Sequence, residues 1–200
     1  DSSSSDQTAE IARQNGAIVE VTQDWPGFGA QKNRALALAT GDWVLSLDAD
    51  ERVTPELREE ILRVISQADS ADCYKIPRLS WFCGRFIRHS GWTPDHVDRL
   101  FKVGTAKFSD DLVHEKLLHQ GRAEPLSTPL RHYSHRNFSD VLIKIDRYST
   151  ASAAQALKRG KHSSVRGALG HGAWAFIRTY FFKAGFLDGE HGLALAIATA

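Results

Sequence analysis

The alternation of helical and strand-like segments over residues 1–72 is the feature that most constrains how this chain can fold. The pattern predicts helix 8–15, strand 17–21, helix 31–40, strand 43–47 and helix 54–65. Gly16 and Gly41 are expected to end the first two helices, because glycine tolerates positive φ after a helix. Thr54 and Pro55 are typical of the start of the third. Short connections between alternating elements predict an α/β fold with a parallel sheet covered by helices.

Composition excludes several classes of protein. With 42% hydrophobic and 24% charged residues among 200, the chain can bury a core and is not a disordered tail. Its apolar runs fall well short of the ~20 residues that cross a bilayer, and no secretory signal opens it. The absence of methionine indicates that Asp1 is an internal position of a longer chain. Cys73 and Cys83 are too few for a disulfide framework, which favours buried thiols and the cytoplasm.

Charge is distributed unevenly along the chain. Residues 1–72 hold 14 acidic and 6 basic side chains, whereas residues 73–200 hold 10 acidic and 19 basic ones. The first half is expected to gather carboxylates around a cation, and the second to meet an anionic partner. Chance combined with solvated helix faces explains the same counts. A nucleic-acid partner is disfavoured, because the basic residues are scattered and no regular aromatic platform accompanies them.

Asp48 and Asp50 form the sharpest chemical feature, since they follow the apolar strand at 43–47 directly. In open α/β sheets, ligands bind beyond the carboxyl ends of the strands. Two carboxylates there suit Mg²⁺, which takes one or two protein carboxylates together with substrate phosphate oxygens. The pair predicts a site for a metal-bound diphosphate. The alternative is an exposed turn, in which two aspartates at this spacing often occur by chance.

Three segments resemble glycosyltransferase family 2, and within it the branch that contains the lipopolysaccharide core β-1,4-glucosyltransferases. They are residues 1–8, 27–33 and 41–51, with shorter matches at 98–101, 113–115, 132–133 and 185–189. The resemblance implies a GT-A type fold, with a Rossmann-like mixed sheet, helices on both faces, and an N-terminal truncation. It also implies an inverting transfer of a hexose, expected to be glucose, from UDP-glucose with Mg²⁺ or Mn²⁺.

The resemblance also assigns roles to residues. Asp1 corresponds to an acid that contacts the nucleotide, Lys32 and Asn33 to a polar helix start facing the donor, and Asp48 to a ligand of ribose or metal. Asp50 corresponds to the metal ligand. A departure occurs at Ser3, where the family commonly has glycine, so the serine must tolerate a tight backbone path.

Beyond residue 72 the pattern predicts β segments at 73–77, 97–103 and 112–118. Inverting transfer needs one carboxylate to take the proton from the acceptor hydroxyl. The resemblance selects Glu115 for this role, with Asp111 second. Zinc is disfavoured at His114 and His119, because they lie five residues apart rather than four. The other candidate bases among the carboxylates of this region are Asp95, Asp98 and Asp110.

The C-terminal part is predicted to be helical, beginning with a helix over 138–158. Residues 173–183 combine aromatic and cationic side chains, which suits a helix lying on an anionic bilayer. A core helix packed on the sheet is the alternative. A surface helix would fit a lipid-linked saccharide acceptor and a peripheral location on the inner membrane.

These features divide the chain into a transferase domain at 1–136 and a helical extension at 137–200. Within the first, residues 1–72 are the expected donor half and 73–136 the acceptor half. The expected function is a metal-dependent hexosyltransferase in lipopolysaccharide core synthesis. The alternative is a non-catalytic module that keeps the fold and binds glycans or a lipid surface. A nucleotidyltransferase is disfavoured, because no glycine-rich basic phosphate loop is present.

Overall fold

The structure is a computed structural model that describes residues 1–110, 115–158, 160 and 164–200. In this part of the chain, two helices, two short strands and a third helix come first, strands dominate the middle, and helices close the chain. The helices are α1 (Thr8–Gln14), α2 (Phe28–Ala37), α3 (Pro55–Ile65), α4 (Phe138–Lys158), α5 (Val165–Ile177) and α6 (Glu190–Thr199). The strands are β1 (Trp43–Leu45), β2 (Glu51–Arg52), β3 (Cys73–Phe82), β4 (Arg85–Phe86), β5 (Asp95–Lys102), β6 (Ala106–Phe108), β7 (Leu117–His119), β8 (Ala123–Pro125) and β9 (Leu130–His135).

The main sheet is mixed, which confirms the mixed sheet that the resemblance implies, whereas the wholly parallel sheet expected from the alternation of elements does not form. The strand order is β1-β5-β3-β9-β2, with β4 and β8 both paired to β3. The strand β1 runs antiparallel to β5, and β2 antiparallel to β9, whereas β3 and β9 are parallel. Two further strands, β6 and β7, form a separate antiparallel pair. Strand partners distant in sequence decide these directions, which local pattern does not encode.

Two predicted local elements differ in the structure. Residues 17–21 do not form a strand. The Glu20 carbonyl accepts from the Asp1 nitrogen, and the Thr22 nitrogen donates to the Asp1 carbonyl, so both groups bond to one residue rather than to a neighbouring strand. The helix α2 begins and ends three residues earlier than predicted, so Gly41 does not end it. Gly27, with φ of 110°, precedes its first turn. A Cβ on Gly29 would overlap the Ser109 carbonyl oxygen, so glycine lets α2 approach that segment closely.

The predicted helices α1, α3 and α4 are confirmed, and Gly16 takes the expected positive φ after α1. In α3 the Thr54 hydroxyl accepts a hydrogen bond from the Leu57 main-chain nitrogen, which caps the first turn. Leu57 and Ile61 are buried as the spacing predicts, although Leu62 is 46% exposed. The segments at 73–77 and 97–103 lie largely within β3 and β5. Residues 112–114 of the third predicted β segment lie outside the described residues.

The chain divides into two compact units. The first unit comprises residues 1–46, 71–74 and 98–124, and its core contains Cys73, Phe101 and Phe108. The second unit comprises residues 47–70, 75–97 and 125–200, and its core contains Phe82, Ile87, Val141 and Leu195. In the described part of the chain, no helix has both the length and the apolar character of a membrane span.

Candidate active site

A tight turn in the second unit carries the two aspartates. The Glu51 nitrogen donates to the Asp48 carbonyl at 3.0 Å, and the Glu51 carboxylate accepts from the Asp48 nitrogen at 2.9 Å. Glu51 is buried, whereas the side chain of Asp50 is 39% exposed. Glu51 therefore fixes the turn from inside, and Asp50 is available to a ligand.

Asp50 is connected to a histidine and a serine. Its Oδ2 lies 3.4 Å from Nε2 of His132, and Nδ1 of His132 lies 3.0 Å from the Ser80 hydroxyl oxygen. Burial lowers the pKa of His132 below its usual value of 6.5, although the Asp50 charge acts in the opposite direction. The imidazole is therefore neutral at pH 7. We assign the proton to Nε2, facing Asp50, so that Nδ1 accepts the Ser80 hydroxyl proton.

A cavity of about 680 Å³ in the second unit opens at Asp50. Its lining combines this carboxylate with the first turn of α3 and with three arginines and two aromatic rings: Arg52, Arg131, Arg136, Trp81 and Tyr133. The excess of cationic side chains suits an anion. A carboxylate at the rim supplies an oxygen of the kind that a hard divalent cation binds.

A second cavity of about 580 Å³ lies in the same unit and includes His132 in its lining. Arg78 donates to Asp95 there at 2.6 Å and lies 3.9 Å from Glu51. Trp92 adds an aromatic face, and apolar side chains of α4 and α6 complete the wall. His132 therefore faces this cavity and contacts the aspartate that lines the other.

In the first unit, Lys32 and Glu115 form an ion pair with a separation of 2.8 Å. Both side chains are about four-fifths buried, and Lys32 also lies 5.4 Å from the centroid of the Phe108 ring. The predicted donor contact and the predicted base are thus direct neighbours. Asp111, the second candidate base, lies outside the described residues.

The remaining donor candidates also belong to the first unit. Asn33 donates to the Phe108 carbonyl at 2.9 Å and accepts from the Phe108 nitrogen at 2.8 Å, so both ends of its amide are engaged. The Asp1 carboxylate accepts from the nitrogen and hydroxyl of Ser4. Asp1 and Lys32 line one cavity of about 380 Å³. Ser3 has φ of 61°, which is the left-handed conformation that a glycine would adopt freely.

Comparison with known proteins gives the family. A family model described as "Glycosyl transferase family 2" matches residues 1–121. The chain belongs to glycosyl transferase family 2. It is therefore a glycosyltransferase, and it has the GT-A type α/β fold, here with a mixed sheet and a helical C-terminal region.

Curated relatives agree with this membership. An uncharacterized glycosyltransferase of Rickettsia conorii is 29% identical over all of this chain and 74% of its own length. The lipopolysaccharide core biosynthesis glycosyltransferase LpsC of Rhizobium meliloti is 26% identical over all of this chain and 79% of its own length. A TPR repeat-containing protein of Synechococcus elongatus is 32% identical over 68% of this chain and 34% of its own length.

Family 2 glycosyltransferases generally use a divalent metal, and the turn at 48–51 fits one. Its donors are carboxylate oxygens, which Mg²⁺ and Mn²⁺ prefer. Asp50 is partly exposed in a cavity, and His132 contacts one of its oxygens, as partners of metal-binding carboxylates do.

The sequence alone does not single out three residues in or next to the turn at 48–51: Glu51, Arg78 and His132. The sequence assigns no role to His132, because nothing near it along the chain shows that it lies beside Asp50. The short family resemblance at 132–133 was the sequence signal that pointed to His132. Glu51 adjoins the two aspartates, but only burial distinguishes it from them.

Proposed function

We propose that this glycosyltransferase moves a hexose, expected to be glucose, from a UDP-sugar to a saccharide acceptor with inversion at the anomeric carbon. The observation that carries the proposal is the surroundings of Asp50. This carboxylate lines a cavity rich in arginine and is held by a neutral histidine. Arginine side chains and a carboxylate that would hold a divalent metal both suit a diphosphate, and this part of the second unit contains both.

Asp48 and Asp50 are the proposed ligands of Mg²⁺ or Mn²⁺. When bound, the metal neutralises charge on the leaving diphosphate. Arg131 and Arg136 of the Asp50 cavity supply further positive charge for the same phosphates. In the first unit, Asp1 and Lys32 are proposed to contact the nucleotide, a role supported by the cavity that they share. Asn33 is proposed to help the donor site mainly by fixing Phe108 beside Lys32.

Glu115 is the proposed base, with Asp111 as second candidate. The acceptor oxygen attacks the anomeric carbon, its proton passes to the carboxylate, and the bond to the diphosphate breaks with its electrons leaving on oxygen. No second proton donor is needed for a diphosphate. The ion pair with Lys32 holds the Glu115 carboxylate in one position, which a base requires. The cavity that contains Trp92 and Asp95 is the proposed acceptor site.

A role in lipopolysaccharide core synthesis is proposed from the similarity to LpsC. Such an acceptor is linked to lipid, and the chain has a surface that suits a bilayer. Phe181 and Phe182 are 58% and 71% exposed, and Arg178 and Lys183 flank them. We propose that this segment contacts an anionic membrane surface from the cytoplasmic side.

Transfer of glucose from UDP-glucose tests the proposal. Asp50→Asn should lower kcat by about 10²–10³-fold, the usual cost of removing one group that stabilises charge in the transition state. Asp146→Asn, an exposed aspartate on α4, is the matched control and should keep full activity. Activity that survives both chelation of metal and Asp50→Asn would contradict the proposal.

Glu115→Gln tests the base separately. Its kcat should fall by about 10²–10⁴-fold, while binding of UDP in the presence of Mn²⁺ is retained. Loss of UDP binding together with activity would instead assign Glu115 to the donor pocket.

A further inference from the structure

A group of sulfur, nitrogen and oxygen donors lies in the first unit, apart from the aspartates of the turn at 48–51. Cys73 begins β3, Asp98 belongs to β5, and His119 ends β7. One ligand atom from each lies within 4.8 Å of the other two. Three strands that are distant in sequence therefore bring together three different metal-binding side chains.

The distance between two of the donors suits a small tetrahedral ion. The Cys73 sulfur lies 3.7 Å from Oδ1 of Asp98. Two ligands of a tetrahedral Zn²⁺, one sulfur at about 2.3 Å and one oxygen at about 2.0 Å, are separated by about 3.5 Å. The two atoms need to move only slightly to share an ion. Without an ion, the same distance is that of a weak hydrogen bond from thiol to carboxylate.

His119 supplies a second, independent observation. Its Nδ1 is inaccessible to solvent and has no hydrogen-bond partner among the described residues. A buried polar atom without a partner costs about 1–3 kcal/mol. A metal ion bound through Nδ1 would supply the missing partner and would offset this cost.

We propose that Cys73, Asp98 and His119 bind one Zn²⁺ ion or a similar divalent transition metal. Thiolate and imidazole select such ions over Mg²⁺ and Mn²⁺, which prefer oxygen ligands only. Cys73 is fully buried. Because the metal binds the thiolate, binding would release the thiol proton of Cys73 to solvent. This site differs in donor chemistry from the proposed Asp48 and Asp50 site.

The consequence is structural. The ion would join β7 to β3 and β5 within the first unit, and β7 begins two residues after Glu115. Zinc would therefore stabilise the segment that carries the proposed base. The binding site itself does not depend on the proposed transferase mechanism.

Cobalt substitution tests the site without an activity assay. Co²⁺ added to the full chain should bind once per chain and give the near-ultraviolet absorption of a thiolate–cobalt bond, which Zn²⁺ then removes. Cys73→Ser should abolish this absorption. Cys83→Ser, the matched control at the second cysteine of the chain, should retain it. Zn²⁺ should also raise the Tm of the wild type and of Cys83→Ser.

His119→Gln tests the group through a second ligand, in case Cys73→Ser does not fold. It should weaken Co²⁺ binding by at least about tenfold while far-ultraviolet circular dichroism stays unchanged. Asp50→Asn should leave the cobalt absorption intact. No thiolate–cobalt absorption in the wild type, loss of it in Cys83→Ser, or unchanged affinity in His119→Gln would each overturn the proposal.

Discussion

Replacing Glu60 by glutamine should remove a pH-dependent part of the stability of this chain. Glu60 lies in α3, whose first turn lines the Asp50 cavity. Its Oε1 accepts from the nitrogen and hydroxyl of Ser127 at 3.0 and 2.8 Å, and its Oε2 accepts from the Thr128 nitrogen at 2.8 Å. Burial alone raises the pKa of Glu60, but the hydrogen bonds from Thr128 and Ser127 outweigh it and lower the pKa from 4.5 to about 2.

The magnitude follows from the two pKa values. The change from 4.5 to about 2, at about 1.4 kcal/mol for each pKa unit, corresponds to about 3 kcal/mol of stability. Because the folded state has the lower pKa, this contribution is complete above the unfolded value of 4.5 and is lost as the pH falls towards 2. Linkage gives about 2 kcal/mol remaining near pH 3.5.

Urea unfolding of the wild type and of Glu60→Gln at pH 7 and pH 3.5 measures the effect. The variant should lose about 3 kcal/mol of unfolding free energy at pH 7 and about 2 kcal/mol at pH 3.5. Glu59→Gln, an exposed neighbour on the same helix, is the control and should change little at either pH. An equal loss at both pH values, or an equal loss in the control, would refute the assignment.

Three further substitutions test other features. Ser3→Gly should raise the unfolding free energy in urea by less than about 1 kcal/mol, because relief of the left-handed φ of Ser3 outweighs loss of the hydrogen bond from its hydroxyl to the Thr22 carbonyl; Ser5→Gly should bring no such gain. Asn33→Ala should lower the unfolding free energy by about 2 kcal/mol through loss of both bonds to Phe108, and an unchanged KM for the donor would contradict the proposed support of the donor site by Asn33. Phe182→Ser should reduce co-sedimentation with vesicles that contain anionic lipid, whereas Phe138→Ser on α4 should not.

Local pattern predicts the helices of this chain well. The Thr54 cap, Pro55 and the apolar spacing give α3 its bounds, and the same periodicity gives α4. These signals lie within one or two helical turns, so the residues of the helix itself are enough to predict its bounds. The bounds of α2 are different. Gly27 takes a positive φ before its first turn, and Gly29 allows a close contact with Ser109, some eighty residues away in the chain.

Strand pairing explains most of what could not be predicted. Trp43 pairs with Lys102, and Glu51 pairs with His132. Both pairings join residues more than fifty positions apart, and their direction depends on tertiary packing rather than on local propensity. His132 illustrates the consequence for the site. Its position beside Asp50 follows from the register of β2 against β9, which spacing along the chain does not reveal.

The run from Asp48 to Glu51 shows why the chemistry of an acidic motif depends on burial rather than on charge count. Glu51 is 3% exposed, binds the Asp48 nitrogen, and lies 3.9 Å from Arg78. A buried carboxylate needs such partners, because an unpaired charge there is costly. Asp50 is 39% exposed, and the contact to His132 is at one oxygen, Oδ2. Adjacent acids in one turn thus separate into one that maintains the backbone and one that faces the cavity. The second arrangement is the one that a nucleotide diphosphate and its metal require, because a ligand must replace solvent rather than break an internal ion pair.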